Sequence, residues 1–246
     1  MMICSPAIKT NSFLSVNFLG YDVFIGQLED IEFGNTILVN TINQYSYCIA
    51  EKDNLFKEAL QNSDILLPDG IAIVHASKFL DGHKIKKTAG ADIHDFLLHK
   101  LNDEHGSCFY FGASESTLLK IESKVKLEFP NIRFKAYSPP FKSEFSEEEN
   151  FEMIGIINEF QPDVLFVGMT APKQEKWAYE NKISLKTGLI CSIGAVFDFY
   201  DGTVERPNQI WIDSGLEWLG RLLKEPKRYI YYGAVFVFKV LKKKLV

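Results

Sequence analysis

The 246-residue chain has no GxGxxG turn after any strand-like run and no GxxxxGK[ST] anywhere. It therefore lacks the glycine turns that let backbone N–H groups approach a pyrophosphate in an ordinary NAD site or a Walker-type ATPase. The four cysteines, Cys4, Cys48, Cys108 and Cys191, form no CxxC pair and join no histidine at ligand spacing. Nothing in that pattern demands a metal site or an oxidising compartment. The histidines, His75, His83, His94, His99 and His105, form no triad or ligand set, and His75 reads as a packing residue on a helix. No DxD pair advertises a divalent metal, and no apolar run approaches the ~20 residues needed to span a bilayer. The first residues carry no continuous apolar signal core, so the expected location is the cytoplasm. Internal repeats and low-complexity linkers are missing as well.

What is present is ordinary folded-protein composition, 46% hydrophobic and 24% charged, in a chain long enough to bury a sizeable core. The formal charge of −5 argues against general nucleic-acid binding. That charge is unevenly spread. Residues 221–246 hold eight Lys or Arg against the single acid Glu225, leaving 19 basic and 31 acidic residues elsewhere.

Strand-like apolar runs at 36–41, 65–67, 107–111, 132–137, 163–167 and 189–193 alternate with helix-like stretches. One continuous polar–apolar segment spans 43–60, helical patterns run over 70–80, 93–101, 115–128 and 173–181, and another ends at Phe160, opened by the capping-box pair Ser146 and Glu149. The pattern predicts an α/β fold: a Rossmann-like, mainly parallel sheet with helices on both faces. Ligands of such sheets sit beyond the carboxyl ends of the strands. Five loops therefore matter: Thr41-Ile42-Asn43, Pro68-Asp69-Gly70, Gly112-Ala113-Ser114, 168–174 and 194–198. From Gly215 the alternation stops, and a helical, aromatic and basic appendage follows, ending in Lys242-Lys243-Lys244. The expected division is 1–205 for the sheet domain and 206–246 for the appendage. That tail suits either a helix lying in a bilayer interface beside anionic lipid or one packed on the domain.

In "GMTAPKQEKW", Gly168 ends an apolar strand and Pro172 fits the first turn of a helix. Free N–H groups there, with Lys173 and Gln174, favour a phosphate. Gly112 opens a second, more generic phosphate turn. Asp69 stands at a strand end before Gly70, where burial can raise a carboxylate toward general-base duty. A turn residue or helix N-cap is the alternative for Asp69, and a cap is the alternative for Asp92. Asp198 and Asp201 lie among aromatic residues, where Asp198 needs a partner. Arg206, Arg221 and Arg228 could each hold phosphate bidentately, or form a surface ion pair.

Five segments in order, "NSDILLPDGIAIVHASKFL", "TAGADI", "DVLFVGMTAPKQEKW", "GAVFDFYDGTVERP" and "GLEWLGRLLKEPKR", closely resemble the bacterial WecG/TagA/CpsF glycosyltransferases over residues 16–228. The resemblance implies a UDP-sugar-dependent, inverting hexosyltransferase without a metal or other cofactor. Its expected donor carries N-acetylmannosamine or a related hexose or uronic acid. The expected acceptor is a polyprenyl-diphosphate-linked sugar, such as the undecaprenyl diphosphates of teichoic acid, enterobacterial common antigen or exopolysaccharide assembly. The appendage is expected to dock on the inner face of the cytoplasmic membrane and complete the site. A homo-oligomer stays open.

Residue by residue, the resemblance makes Asp69 the general base and places Thr41 and Asn43, the family's TxN pair, near the sugar. It makes Gln174 a polar site residue and brings Arg221 and Arg228 to the diphosphate. Lys87 occupies the family's usual arginine position before Gly90 and Asp92, so charge is kept while the bidentate fork is lost. Lys87, Asp92, Gly112, Gly168, Lys173, Gln174, Arg206, Arg221 and Arg228 are thus the expected substrate-binding set. Two rivals remain. A soluble nucleotide-sugar epimerase or dehydrogenase would need bound nicotinamide. A non-catalytic partner in polysaccharide assembly would tolerate loss of Asp69.

Overall fold

The computed structural model describes residues 13–34, 36–202 and 226–245. Six parallel strands form the central sheet in the order β4-β3-β8-β7-β5-β6. They are β3 (Ile37–Ile42), β4 (Ile65–Pro68), β5 (Ser107–Gly112), β6 (Arg133–Tyr137), β7 (Val164–Gly168) and β8 (Leu189–Ser192). The connecting helices are α1 (Gln44–Ala50), α2 (Asn54–Gln61), α3 (Ile71–Asp81), α4 (Gly90–Asp103), α5 (Glu115–Glu128), α6 (Glu147–Phe160), α7 (Lys173–Asn181) and α8 (Val196–Tyr200). The α/β expectation holds.

The strands read as unbroken apolar runs because both faces are covered. Pleating sends alternate residues to opposite layers. Val39, Tyr110, Phe166 and Cys191 enter one core with α4 and α5. Leu38, Phe111, Val167 and Ile190 enter the other with Met153, Ile157 and Trp177.

Some elements differ from expectation. The stretch 43–60 is two helices, because Asn43 caps α1 and Asp53 caps α2 by accepting the Phe56 N–H at 3.0 Å. An antiparallel hairpin, β1 (Ser15–Phe18) with β2 (Tyr21–Phe24), precedes the sheet. Leu19 and Gly20 both take positive φ at its two-residue turn, as the strand twist requires. The expected capping box is present: Ser146 Oγ accepts the Glu149 N–H at 3.3 Å, and Glu149 Oε2 accepts the Ser146 N–H at 2.7 Å. His75 is exposed rather than packed; His94 is the buried histidine, 2.6 Å from the Tyr110 hydroxyl.

The tail helix, α9 (Pro226–Leu245), lies against α1 and α3. Phe236 and Val240 enter the core formed with the hairpin, and Lys239 bonds Glu51 at 3.0 Å. Among the described residues no helix is long and apolar enough to cross a membrane. The expected boundary at 205/206 lies outside the described residues.

Candidate active site

All six strands of the sheet deliver their carboxyl ends to one cavity of about 1500 Å³. β3 contributes Thr41 and β7 contributes Gly168; the residues just after β4 and β8 contribute Asp69 and Gly194. Ala113 and Ser114 follow β5, and Ser138 follows β6. Convergence at that edge is what a parallel sheet provides, since its loops all begin on one side.

The two turns bearing the expected catalytic residues touch. Ile42 pairs with Pro68, and the Asp69 N–H donates to the Ile42 carbonyl at 2.9 Å, extending the β3–β4 ladder by one residue. A side chain at position 70 would sit 3.3 Å from Gln44 Oε1 and 3.4 Å from Asn43 Cβ, at φ +135. Glycine is required there, and it keeps the Asp69 turn against Asn43. The N-cap of α3 is Gly70, and Asp69, just before it, is half-buried in the cavity wall. Asn43 does cap: its Oδ1 accepts the Tyr45 and Ser46 N–H groups, both at 3.0 Å.

From the first turn of α7, Gln174 lines the same cavity, 5% exposed and held between two partners. Its Oε1 accepts the Met169 N–H at 3.1 Å, and its Nε2 donates to Glu175 Oε1 at 2.9 Å. A Cβ on Gly194 would come within 3.1 Å of that amide. Glu175, which the sequence reading passed over, also lines the cavity and is 3% exposed. Burial pushes its carboxyl up to about 7, against the pull of the Gln174 amide and its own backbone N–H.

The first turn of α7 is less open to an anion than the sequence implies. The Lys173 N–H donates to the Thr170 carbonyl at 3.0 Å. Lys173 lines the cavity, with Nζ 3.6 Å from the Phe145 ring centre and bonded to the Lys142 carbonyl. Burial, then the neighbouring Lys142, lowers its pKa. At the N-terminus of α5, the Ser114 and Ser116 hydroxyls sit 2.9 Å apart on the cavity wall. Asp198 lies exposed at the cavity rim, where partial burial and then Asp201 raise its carboxyl.

Of the expected site residues, Thr41, Asn43, Asp69, Gly168, Lys173 and Gln174 line the cavity together. Gly112 stands one residue behind the lining: a Cβ there would lie 2.2 Å from the Gly168 carbonyl oxygen. Lys87 and Asp92 do not line it, although Ala89, Gly90 and Ala91 between them do. Asp92 Oδ2 accepts the Ala89 N–H at 2.9 Å, closing the first turn of α4. Arg206 and Arg221 lie outside the described residues, as does the Arg228 side chain. Among the described residues no group of three His, Cys, Asp or Glu could hold a metal.

Residues 13–246 match the family model described as Glycosyl transferase WecG/TagA/CpsF family. The chain is similar to the N-acetylglucosaminyldiphosphoundecaprenol N-acetyl-beta-D-mannosaminyltransferase of Bacillus subtilis (strain 168). The two are 28% identical over 192 residues, which span 78% of this chain and 73% of that relative. A protein of the same description from Staphylococcus aureus (strain MW2) is 24% identical over 212 residues, 85% of this chain and 82% of that relative. A match that begins at the hairpin and runs to the last residue takes in every strand that feeds the cavity, and the chain belongs to the WecG/TagA/CpsF family of glycosyltransferases as a hexosyltransferase.

Proposed function

We propose that this chain is an inverting transferase that moves an N-acetylmannosamine-type sugar from a UDP-sugar to a polyprenyl-diphosphate-linked acceptor. The acceptor chemistry follows the relatives, whose names specify N-acetylglucosaminyldiphosphoundecaprenol. The observation that carries the reading is Asp69. It sits at the strand edge of a cavity large enough for a nucleotide sugar, which Thr41, Asn43 and Gln174 also line.

In the proposed step the Asp69 carboxylate takes the proton from an acceptor hydroxyl as that oxygen attacks the anomeric carbon. The bond from that carbon to the UDP oxygen breaks on the opposite side, inverting the centre, and UDP leaves with the bonding electrons. Thr41, Asn43 and Gln174 hold sugar hydroxyl and amide groups in register for attack. Lys173, the Ser114 and Ser116 hydroxyls and the appendage arginines Arg206, Arg221 and Arg228 meet the growing charge on the diphosphate. Lys87 and Asp92 act from behind the 89–91 segment, on the donor side.

The α9 helix presents an apolar stripe to solvent: Ile230, Tyr231, Val237, Phe238 and Leu241. With Lys242 and Lys243 beside it, the stripe supports peripheral binding to the anionic inner face of the cytoplasmic membrane, where a polyprenyl acceptor resides.

The test is a UDP-release assay of several UDP-sugars against short-chain polyprenyl-diphosphate N-acetylglucosamine. Acceptor-dependent release with one donor is expected, and Asp69→Asn should lower kcat by about 10²–10⁴. Full turnover by Asp69→Asn would remove the base assignment, and acceptor-independent behaviour would remove the transfer reading.

A further inference from the structure

Gln174 has four hydrogen-bonding capacities, two on Oε1 and two on Nε2. The fold occupies one of each, through the Met169 N–H and Glu175 Oε1. An amide held at both ends cannot flip, so its remaining lone pair and N–H keep fixed directions at the cavity wall. The Glu175 half of that clamp is unusual. Oε2 of the same carboxyl is buried without a hydrogen-bond partner, although the residue lines the cavity. Relief does not come from the sheet beneath: Asn40 Oδ1 and Ser192 Oγ, on the strand face that α7 covers, are also buried without partners. A buried polar atom left unpaired costs stability, so a fold that needed only packing here would place an apolar side chain.

We infer that Glu175 is a positioning residue of the transfer reaction, fixing the Gln174 amide toward the substrate while its own second carboxyl oxygen waits at the cavity floor. This rests on the donor-and-acceptor reading above for its chemistry, though not for its local geometry. Glu175 acts as the neutral acid, with Oε1 accepting from Gln174 and the proton on Oε2. A glutamine reproduces that form: one oxygen to accept from Gln174, and N–H groups in place of the acid O–H. An alanine reproduces neither.

The charged groups on surrounding elements are otherwise engaged or distant in role. On α7 itself Lys176 pairs with Asp53 of the α2 cap, and Lys173 reaches the Lys142 carbonyl. On α2, Lys57 pairs with Glu51 at 2.8 Å and Glu58 is exposed. After α7, Lys182 pairs with Asp64. Neither β3 nor β7 carries a titratable side chain, and Cys191 of β8 is held as the thiol by burial. Asp69 and Asp198 share the cavity.

The experiment is a double-mutant cycle on kcat and KM, joined to an NMR titration of the Gln174 side-chain amide, assigned by its loss in Gln174→Ala. Glu175→Ala should lower kcat at least about 30-fold with donor KM within about threefold, the pattern of an interaction made in the transition state. Combining it with Gln174→Ala should cost no more than the worse single change, since the two act as a unit. Glu175→Gln should recover at least a third of the wild-type kcat. The Gln174 amide resonance should move as pH crosses about 7 in the wild type and stay still in Glu175→Gln. Multiplying single effects, no recovery by glutamine in a chain with wild-type circular dichroism, or a pH-independent amide would each overturn the inference. If the wild type transfers no sugar from any UDP donor, the donor reading fails by itself. The NMR titration then still decides whether Glu175 sets the Gln174 amide.

Discussion

A carboxyl group enclosed by protein is harder to ionise, and whatever it resists in the folded state it withdraws from stability. Glu175 is the clearest instance, raised from an ordinary 4.5 to about 7 by burial. Its folded form therefore holds a proton that the unfolded chain has already released between those two values. The stability tied to that proton is fully present below pH 4.5, declines as pH rises toward 7, and stays lost above it. The gap corresponds to about 3 kcal/mol. Glu175→Gln carries no ionisable group, so its stability relative to wild type should rise by up to that amount between pH 5 and pH 8. Urea midpoints of both proteins across that range measure it, and a constant difference would mean the carboxyl is not buried as a neutral acid. Asp69 occupies a different setting, half-buried in the cavity wall and open to substrate. Its replacement by asparagine should act chiefly on turnover and change the unfolding free energy read in urea by less than about 2 kcal/mol.

Between elements, the close approach of β5 and β7 brings two glycines together at the cavity edge. Gly112 pairs with Gly168, and the added Cβ that would lie 2.2 Å from a carbonyl oxygen meets rigid backbone, at φ +124. Gly112→Ala should destabilise by more than about 3 kcal/mol, since strain and overlap add. Gly155→Ala is the control: it sits within α6 with nothing within 4 Å of the added carbon, and should stabilise by about 0.5–1 kcal/mol. Thermal melts of the two variants should move in opposite directions. The same elements show what the sequence made legible. Strands such as β5 and β7 were readable because a doubly covered parallel sheet writes itself as apolar runs, and the ligand edge followed from strand direction alone. That is why Asp69, Thr41, Asn43 and Gln174 could be gathered before any geometry was known. The hairpin was hidden because its strands are four residues long and half exposed. The break between α1 and α2 depended on one cap, Asp53, within a continuous polar–apolar pattern. Glu175 was invisible because its role comes from burial beside Gln174, and neither burial nor an unpaired oxygen leaves a mark in residue order.

At the scale of the whole molecule, α9 packs on the domain and still leaves an apolar stripe exposed, so the two readings of the tail do not exclude each other. A helix apolar on every side is ordinarily buried on every side, yet this one is buried on one face only. Phe236 is 3% exposed and packs 5.6 Å from the Tyr47 ring, with Val240 one turn on. Lys239 to Glu51 and Lys244 to the Leu80 carbonyl fasten the same face. Phe238, two residues from Phe236, is 68% exposed, in line with Val237 and Leu241. Packing on the domain thus aims the second stripe outward beside Lys242 and Lys243, the face that the proposed membrane docking would use. The two faces should separate experimentally. Phe236→Ala should destabilise the fold by about 3–5 kcal/mol, read in urea. Phe238→Glu should leave the urea midpoint nearly unchanged while sharply reducing flotation with vesicles containing anionic phospholipid. Wild-type protein should float with those vesicles and less with purely zwitterionic ones, the difference shrinking as salt screens the lysines. Equal flotation of Phe238→Glu and wild type would assign the outward stripe to something other than a membrane.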